Sequence, residues 1–174
     1  MQINDILITL NGKTNHFIFS KPMKIELLTK DKCLNFVEFN ITGDNENYRK
    51  CDQDSLYLNI DIFNLFTHCF ENSHKLYEYF GETRYNSKNI IPLRRELEKN
   101  LDGLKQIRSF EDFMAYISTI FLGENVINKL SKKDSKWKDK WTNYLKQIKK
   151  VNQDIIKLID RCLQEDRILW VVGF

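Results

Sequence analysis

Glycine and alanine are scarce in this chain of 174 residues, which has 6 glycines, 2 prolines and a single alanine, Ala115. Phosphate-binding loops and nucleophile elbows need glycine at fixed spacing, because only glycine lets the backbone approach a phosphate or turn so sharply. No G-x-G-x-x-G or G-x-x-x-x-G-K pattern occurs. The sequence therefore argues against a phosphate-binding enzyme and against covalent catalysis of the elbow type.

Cysteine is also sparse, and its spacing matches no metal or redox motif. The four residues are Cys33, Cys51, Cys69 and Cys162. His68 and His74 lie near Cys69, but six residues along a helix turn the two histidines away from each other, whereas zinc needs converging ligands. A nucleophilic Cys–His pair built from Cys33 or Cys51 has no local support. We expect reduced thiols, no metal and no cofactor.

Long apolar runs are missing as well. No run approaches the roughly 20 residues that a membrane helix needs, and the N-terminus shows no basic-then-apolar leader. The formal charge is +3, divided between −3 for residues 1–80 and +6 for residues 81–174, as counted from the sequence. Neither half approaches the strongly basic footprint of most nucleic-acid-binding domains. We therefore expect a cytoplasmic protein with no membrane partner.

The chain does contain a clear change of hydrophobic period near Asp61. Before it, apolar residues recur mostly at every second position, which is typical of strands, and after it at every third or fourth, which is typical of helices. We predict a single α+β domain over residues 1–174, with mainly strands in 1–60 and mainly helices in 61–166. The expected architecture is an antiparallel sheet of four to five strands from the N-terminal third, followed by three to four helices packed on it.

Turn and strand signals divide the first part. Asn11-Gly12 between extended runs predicts a two-residue hairpin, and Pro22 marks a strand end or edge. Residues 23–29 are extended, and Lys30–Lys32 is a polar turn. Apolar residues on both parities between Leu34 and Ile41 predict a long strand that is bulged or buried on both faces. Leu56, Leu58 and Ile60 predict the next strand, with Asn59 or Asp61 capping the element after it.

Helical spacing dominates the second part. Phenylalanines from Phe63 to Phe80 predict one helix that ends at Gly81, and residues 82–90 are expected to be a connector. A second helix is predicted with Pro92 in its first turn. A third is predicted over residues 110–126, with a capping box formed by Ser109 and Asp112 at its start and with Gly123 ending or bending it. The last helix is predicted with Asp134 or Ser135 as its cap. The stripe of this last helix has Trp137, Trp141, Tyr144, Ile148, Val151, Ile155, Leu158 and Cys162. Residues 167–174 are either a last strand or the end of that helix.

Two segments could bind a partner. The lysine-rich stretch 132–150 carries Trp137, Trp141 and Tyr144, a combination that can bind phosphates and stack on bases, although these aromatics also continue the apolar stripe. The polar loop 43–54, here named the acidic loop, lies between strands, where binding groups are common. Its candidate partner-binding residues are Asp44, Glu46, Tyr48, Asp52 and Asp54, and plain solubility explains its charge equally well.

The composition is also unusual, with 20 Lys, 19 Ile and 17 Asn, and the A/T-rich codons of these residues indicate a low-GC gene. In length, in its α+β plan, in this composition and in the lack of catalytic motifs, the whole chain resembles bacterial toxin-immunity proteins, especially those of contact-dependent growth-inhibition and related polymorphic-toxin cassettes. The resemblance implies a cytoplasmic protein, not an enzyme, that binds one cognate toxin domain, often a nuclease, and blocks its active site. Nucleic-acid binding through residues 132–150, or an enzyme with an unrecognised site, are the alternatives.

Overall fold

The computed structural model describes residues 7–10, 13–16, 24–29 and 35–173. The chain is an α+β protein, as the change of period predicts. Its strands are β1 (Leu7–Leu10), β2 (Lys13–His16), β3 (Phe36–Asn40), β4 (Leu56–Asn59), β5 (Glu82–Tyr85) and β6 (Leu169–Val172). Its helices are α1 (Ile60–Phe63), α2 (Thr67–Ser73), α3 (Ser87–Gln106), α4 (Phe110–Ser118), α5 (Gly123–Lys133) and α6 (Trp141–Gln164), with a 3-10 turn at Lys138–Lys140 before α6.

The main sheet is antiparallel with the order β4-β3-β6-β5. The C-terminal strand is confirmed, and it occupies a central position between β3 and β5. The prediction of a connector over residues 82–90 is wrong, because Glu82–Tyr85 pairs with β6 along its whole length and α3 begins at Ser87. Only two strands of this sheet therefore come from the N-terminal third.

The N-terminal hairpin is present as a separate two-stranded sheet. Its register pairs Leu10 with Lys13, which leaves two residues for the turn, as the Asn-Gly signal predicts. The residues of the turn itself, Pro22 and the expected turn at Lys30–Lys32 lie outside the described residues. Within 24–29, Leu28 forms an isolated bridge to Tyr57, so this segment runs along the outer edge of β4.

The helices cover one face of the sheet. Val37 and Phe39 of β3, Leu169 and Val171 of β6 and Tyr85 of β5 point into this side and are almost fully buried. They join one hydrophobic cluster with the inner faces of α2, α3, α4, α5 and α6. A layer of helices on one side of an antiparallel sheet is the arrangement that the order of elements favours.

The last helix supplies the longest apolar face of this layer. Tyr144, Ile148, Val151, Ile155, Leu158 and Cys162 are all buried, as the stripe predicts. The predicted cap is wrong: α6 begins at Trp141, and Asp134 instead ends α5. The Asp134 carboxylate accepts hydrogen bonds from the Tyr144 hydroxyl at 2.9 Å and from the Lys140 ammonium group at 2.8 Å. These bonds connect the end of α5 to the first turns of α6.

Two other predicted helices are divided. The chain leaves the helix after Ser73, whose hydroxyl bonds to the Phe70 carbonyl at 2.9 Å, and residues 74–81 are irregular. Such side chains compete with the helical backbone for hydrogen bonds. The second helix ends at Ser118, and Leu122 takes a left-handed conformation before Gly123 starts α5. Gly123 thus begins a helix instead of ending one.

Helix caps follow the sequence closely at two places. The Asn59 side chain accepts the amide of Asp61 at the start of α1, and the capping box of Ser109 with Asp112 is confirmed at the start of α4. Pro92 lies in the second turn of α3, because that helix starts at Ser87 with Asn86 as its cap. The expectation of Pro92 in a first turn is therefore wrong by one turn.

Candidate functional site

The acidic loop covers the face of the sheet that the helices leave open. In register across the strands, this face carries a row of Tyr57, Glu38, Val172 and Glu82, and beside it a row of Asn40, Trp170 and Arg84. The burial of β3 on both faces is therefore confirmed, but the second face is partly polar and its cover is the loop.

Glu38 is the central anchor of the loop. Its carboxylate is fully buried and accepts hydrogen bonds from the backbone amides of Cys51 at 2.9 Å and Asp52 at 3.2 Å, and from the Asn40 side chain at 3.2 Å. Because a buried charge is costly without such donors, these bonds hold the C-terminal part of the acidic loop, at Cys51 and Asp52, against β3. The Tyr57 hydroxyl adds a bond of 2.7 Å to the Asp52 carbonyl.

Asn40 holds the first part of the acidic loop through hydrogen bonds. Its side-chain oxygen accepts the amides of Thr42 at 3.0 Å and Gly43 at 3.2 Å, while its side-chain nitrogen donates to the Arg49 carbonyl at 2.9 Å. One buried amide therefore contacts the start of the loop at Gly43 and its middle at Arg49. Since a fully satisfied buried polar group favours a single arrangement, the loop is held in one shape.

Tyr48 is a packing residue as well as a surface residue. Its ring stacks on Trp170, with ring centroids 4.9 Å apart, and its hydroxyl donates to the Glu82 carboxylate. Burial and this carboxylate raise the pKa of Tyr48, so the hydroxyl stays protonated. The Trp170 indole donates to the Asp44 carbonyl at 2.9 Å, and Arg84 donates to the Asn45 carbonyl. Tyr48, a candidate partner-binding residue in the sequence, therefore also packs on the sheet.

The four carboxylates of the loop have different roles. Asp44 accepts the amides of Glu46 at 2.8 Å and Asn47 at 2.7 Å, and these bonds lower its pKa. Asp52 accepts the amide of Asp54 at 2.8 Å. Both therefore form turns of the loop. Glu46 and Asp54 lie in the exposed part of the loop, and their carboxylates are the ones most available to a partner.

Several residues of this site were missed by sequence reasoning. Glu38, Asn40, Trp170, Glu82 and Arg84 hold the loop, and none was proposed as a candidate. A signal existed for two of them, because a carboxylate and an amide at alternate positions of an apolar strand are unusual in a core. For the other three the partners lie far away in sequence, and no local pattern marks them.

Among the residues whose side chains the structure describes, Cys69 and the histidines His68 and His74 form no nucleophilic arrangement. Cys69 lies 3.4 Å from the His68 ring, but its thiol faces the Glu96 carbonyl, and burial raises its pKa to about 12. A thiol with so high a pKa is not a nucleophile at neutral pH. His74 packs against Tyr85 instead. Within residues 24–29 and 35–173, no group of three or more potential ligands could hold a metal ion, and Cys33 lies outside the described residues.

The lysine-rich stretch presents lysines but few aromatic surfaces. Trp137 and Tyr144 are 3% and 1% exposed, and Trp141 is half-buried against Phe113. Stacking on bases needs an accessible ring face, and buried rings do not provide one. Trp137 and Tyr144 therefore belong to the core, and Trp141 is partly buried against it.

A polar groove of about 620 Å³ lies beside the acidic loop. Its charged lining residues are Asp44, Asp166 and Arg167, and the lowered pKa of Asp44 keeps that carboxylate ionised near neutral pH. A general acid would need a raised pKa to hold a proton there. Asp44 is therefore unsuited to act as a general acid in this groove.

No protein family, curated protein or solved structure matches the chain. In the part of the chain that the structure describes, none of the helices combines the length and the apolar character that crossing a bilayer would need. The function must therefore be inferred from the geometry of the acidic loop and its surroundings.

Proposed function

We propose that this chain is an immunity protein that binds a cognate toxin domain through the acidic loop and neutralises it by covering its active site. The observation that carries the proposal is the way the loop is held. Glu38, Asn40 and Trp170 bind its backbone from below, and the side chains of Glu46 and Asp54 are left exposed.

A loop fixed in advance favours tight binding. Association loses affinity when loops and side chains must be ordered at the interface, and here the sheet already supplies that order. Tyr48, stacked on Trp170 and half-buried, gives a rigid aromatic surface of the kind that anchors interfaces. Inhibition needs roughly 800 Å² on each partner.

The charges of the loop indicate the chemistry of the partner. Asp44, Glu46, Asp52 and Asp54 outweigh the cations Arg49 and Lys50 within the loop. A surface with more carboxylates than cations is complementary to a basic cleft, such as the one with which a nuclease binds phosphates. Complementary charges mainly raise the association rate and specificity. We therefore propose a basic toxin domain, with a nuclease as the foremost class.

The test uses the toxin domain encoded beside the gene of this chain. Binding is measured by calorimetry, and inhibition is measured as the activity of that domain with and without this protein. The variant is Glu46→Lys with Asp54→Lys, because these side chains lie at the exposed surface while Asp44 and Asp52 shape the loop. We expect the affinity to fall at least about tenfold, since two opposite charges become like charges.

The matched control is Glu71→Lys with Asp139→Lys. Both residues are exposed on helical segments, and the two double variants change the net charge equally. The control should keep its affinity and its inhibition. If both double variants bind equally well, the acidic loop is not the contact surface. If the wild-type protein neither binds nor inhibits the toxin domain, the proposed function itself is wrong.

A further inference from the structure

The two outer edges of the main sheet differ. At the edge of β4, Tyr57 and Leu28 exchange both backbone hydrogen bonds at 2.8 Å, so the segment 24–29 occupies that edge. At the other edge lies β5, which pairs with β6 and with no other strand of the described residues. An unoccupied edge presents a row of backbone donors and acceptors that can pair with another strand.

The hydrogen-bond pattern shows which residues of β5 present these groups. The amide of Gly173 donates to the Gly81 carbonyl at 2.7 Å. Antiparallel pairs alternate between bonded and non-bonded, so Thr83 bonds inward to β6, and the backbone groups of Glu82 and Arg84 point outward. The same alternation can be followed through β6 and β3 to β4. It predicts that the backbone groups of Tyr57 point away from β3, and Tyr57 does form its backbone hydrogen bonds with Leu28 on that side.

We propose that two copies of this chain associate by pairing their β5 strands, antiparallel, about a two-fold axis at Thr83. This register places Glu82 opposite Arg84 of the second copy, and both are outward residues, so the pair exchanges backbone bonds. The side chains of Glu82 and Arg84 share the loop-covered face and are exposed. The edge is therefore complementary to itself in backbone geometry and in charge.

The surroundings of β5 also favour a partner there. A groove of about 460 Å³ runs beside the strand, and its lining includes His74, Leu76, Glu82 and Arg84. The apolar side chains of Leu76 and Phe80 are 78% and 76% exposed. Apolar side chains at such exposure are commonly covered by a partner. A second copy supplies the same groove and the same residues, as a two-fold interface requires.

The experiment is sedimentation equilibrium of the purified chain over a range of concentrations. We expect a reversible dimer for the wild-type chain. Arg84→Glu and Glu82→Arg each place like charges opposite one another twice per dimer, and should weaken dimerisation at least about tenfold. The double variant, Glu82→Arg with Arg84→Glu, restores opposite charges in the same register and should dimerise nearly as the wild-type chain does.

The double variant also separates this proposal from simple damage to the acidic loop. Glu82 and Arg84 bind Tyr48 and the Asn45 carbonyl, and these contacts are lost in the double variant too, so a defect that arises from the loop would not be restored. Arg95→Glu and Glu71→Arg, at exposed helix positions, are the matched controls and should leave the dimer unchanged. A wild-type chain that stays monomeric, or a double variant that fails to dimerise, overturns the proposal. A monomeric wild-type chain that still binds and inhibits the toxin domain overturns the dimer alone, so failure of this proposal is distinguishable from failure of the proposed function.

Discussion

Replacing Glu38 by alanine tests whether the acidic loop depends on one buried carboxylate. The substitution removes the acceptor of three N–H donors, from Cys51, Asp52 and Asn40. A hydrogen bond to a charged group contributes about 1.5–3 kcal/mol, and a buried donor left without a partner costs a similar amount. Part of this loss of free energy is recovered in the variant, because the amides of Cys51 and Asp52 are only partly buried and can form hydrogen bonds with water.

The expected magnitude follows from these contacts. We expect Glu38→Ala to lower the free energy of unfolding by about 3 kcal/mol, which for a chain of this size lowers the melting temperature by roughly 6–12 °C. Glu38→Gln keeps the shape and one oxygen but turns an NH₂ group toward a donor. The decrease in the free energy of unfolding should therefore be smaller for Glu38→Gln than for Glu38→Ala.

The assay combines urea unfolding with hydrogen exchange. In Glu38→Ala, the amides of Cys51 and Asp52 should lose protection, while those in the middle of α6 follow only the change in global stability. Glu46→Ala, a change of the same type at an exposed position of the same loop, is the control and should stay within about 0.5 kcal/mol of the wild type. If the two alanine variants are equally stable, or if exchange in the loop is unchanged, Glu38 does not hold the loop.

Two further predictions concern the same loop. A Cβ atom on Gly43 would lie 2.6 Å from the Tyr48 Cβ and 2.7 Å from the Asn47 carbonyl, so Gly43→Ala should destabilise the chain by about 1–3 kcal/mol in urea unfolding. Gly103 lies in α3 with open space around it, and Gly103→Ala should stabilise the chain by about 0.5–1 kcal/mol. Equal effects of the two substitutions would contradict the close approach at Gly43. The amides of Glu46 and Asn47 hold the pKa of Asp44 below its ordinary value, so its contribution is complete above the unfolded value of about 3.9 and is lost as the pH falls through the lower folded value. An acid titration of the loop resonances by NMR should show this loss, and Asp44→Asn, which keeps the accepting oxygen, should show a flatter profile.

Much of the architecture could be predicted because its signals are local. The stripe of α6, the apolar run of β3, the alternation in β4 and the capping residues Asn59 and Ser109 each depend on neighbours within a few positions. The apolar, β-prone end of the chain fitted either a last strand or the end of the helix, and the structure shows the strand. Where these signals were clear, the elements are present, although α6 begins seven residues after its expected cap at Asp134.

The candidate site was less predictable. The acidic loop could be located as a polar segment between strands, but its shape depends on Glu38, Asn40 and Trp170, whose bonds to it join residues up to 126 positions apart. Strand β5 was missed for a related reason. Its residues are mostly polar, and its place in the sheet depends on pairing with β6 near the other end of the chain.

The sequence alone determined the α+β class, the strands β3 and β4 ahead of most of the helices, the apolar face of α6 and a polar loop at 43–54, because hydrophobic period and turn residues act over short distances. Only the tertiary structure decided that β6 lies in the middle of the sheet, that β5 forms an edge and that the acidic loop covers the second face. These features depend on hydrogen bonds and ring contacts between distant segments, which form only when the chain brings them together, and no local pattern encodes such a pairing.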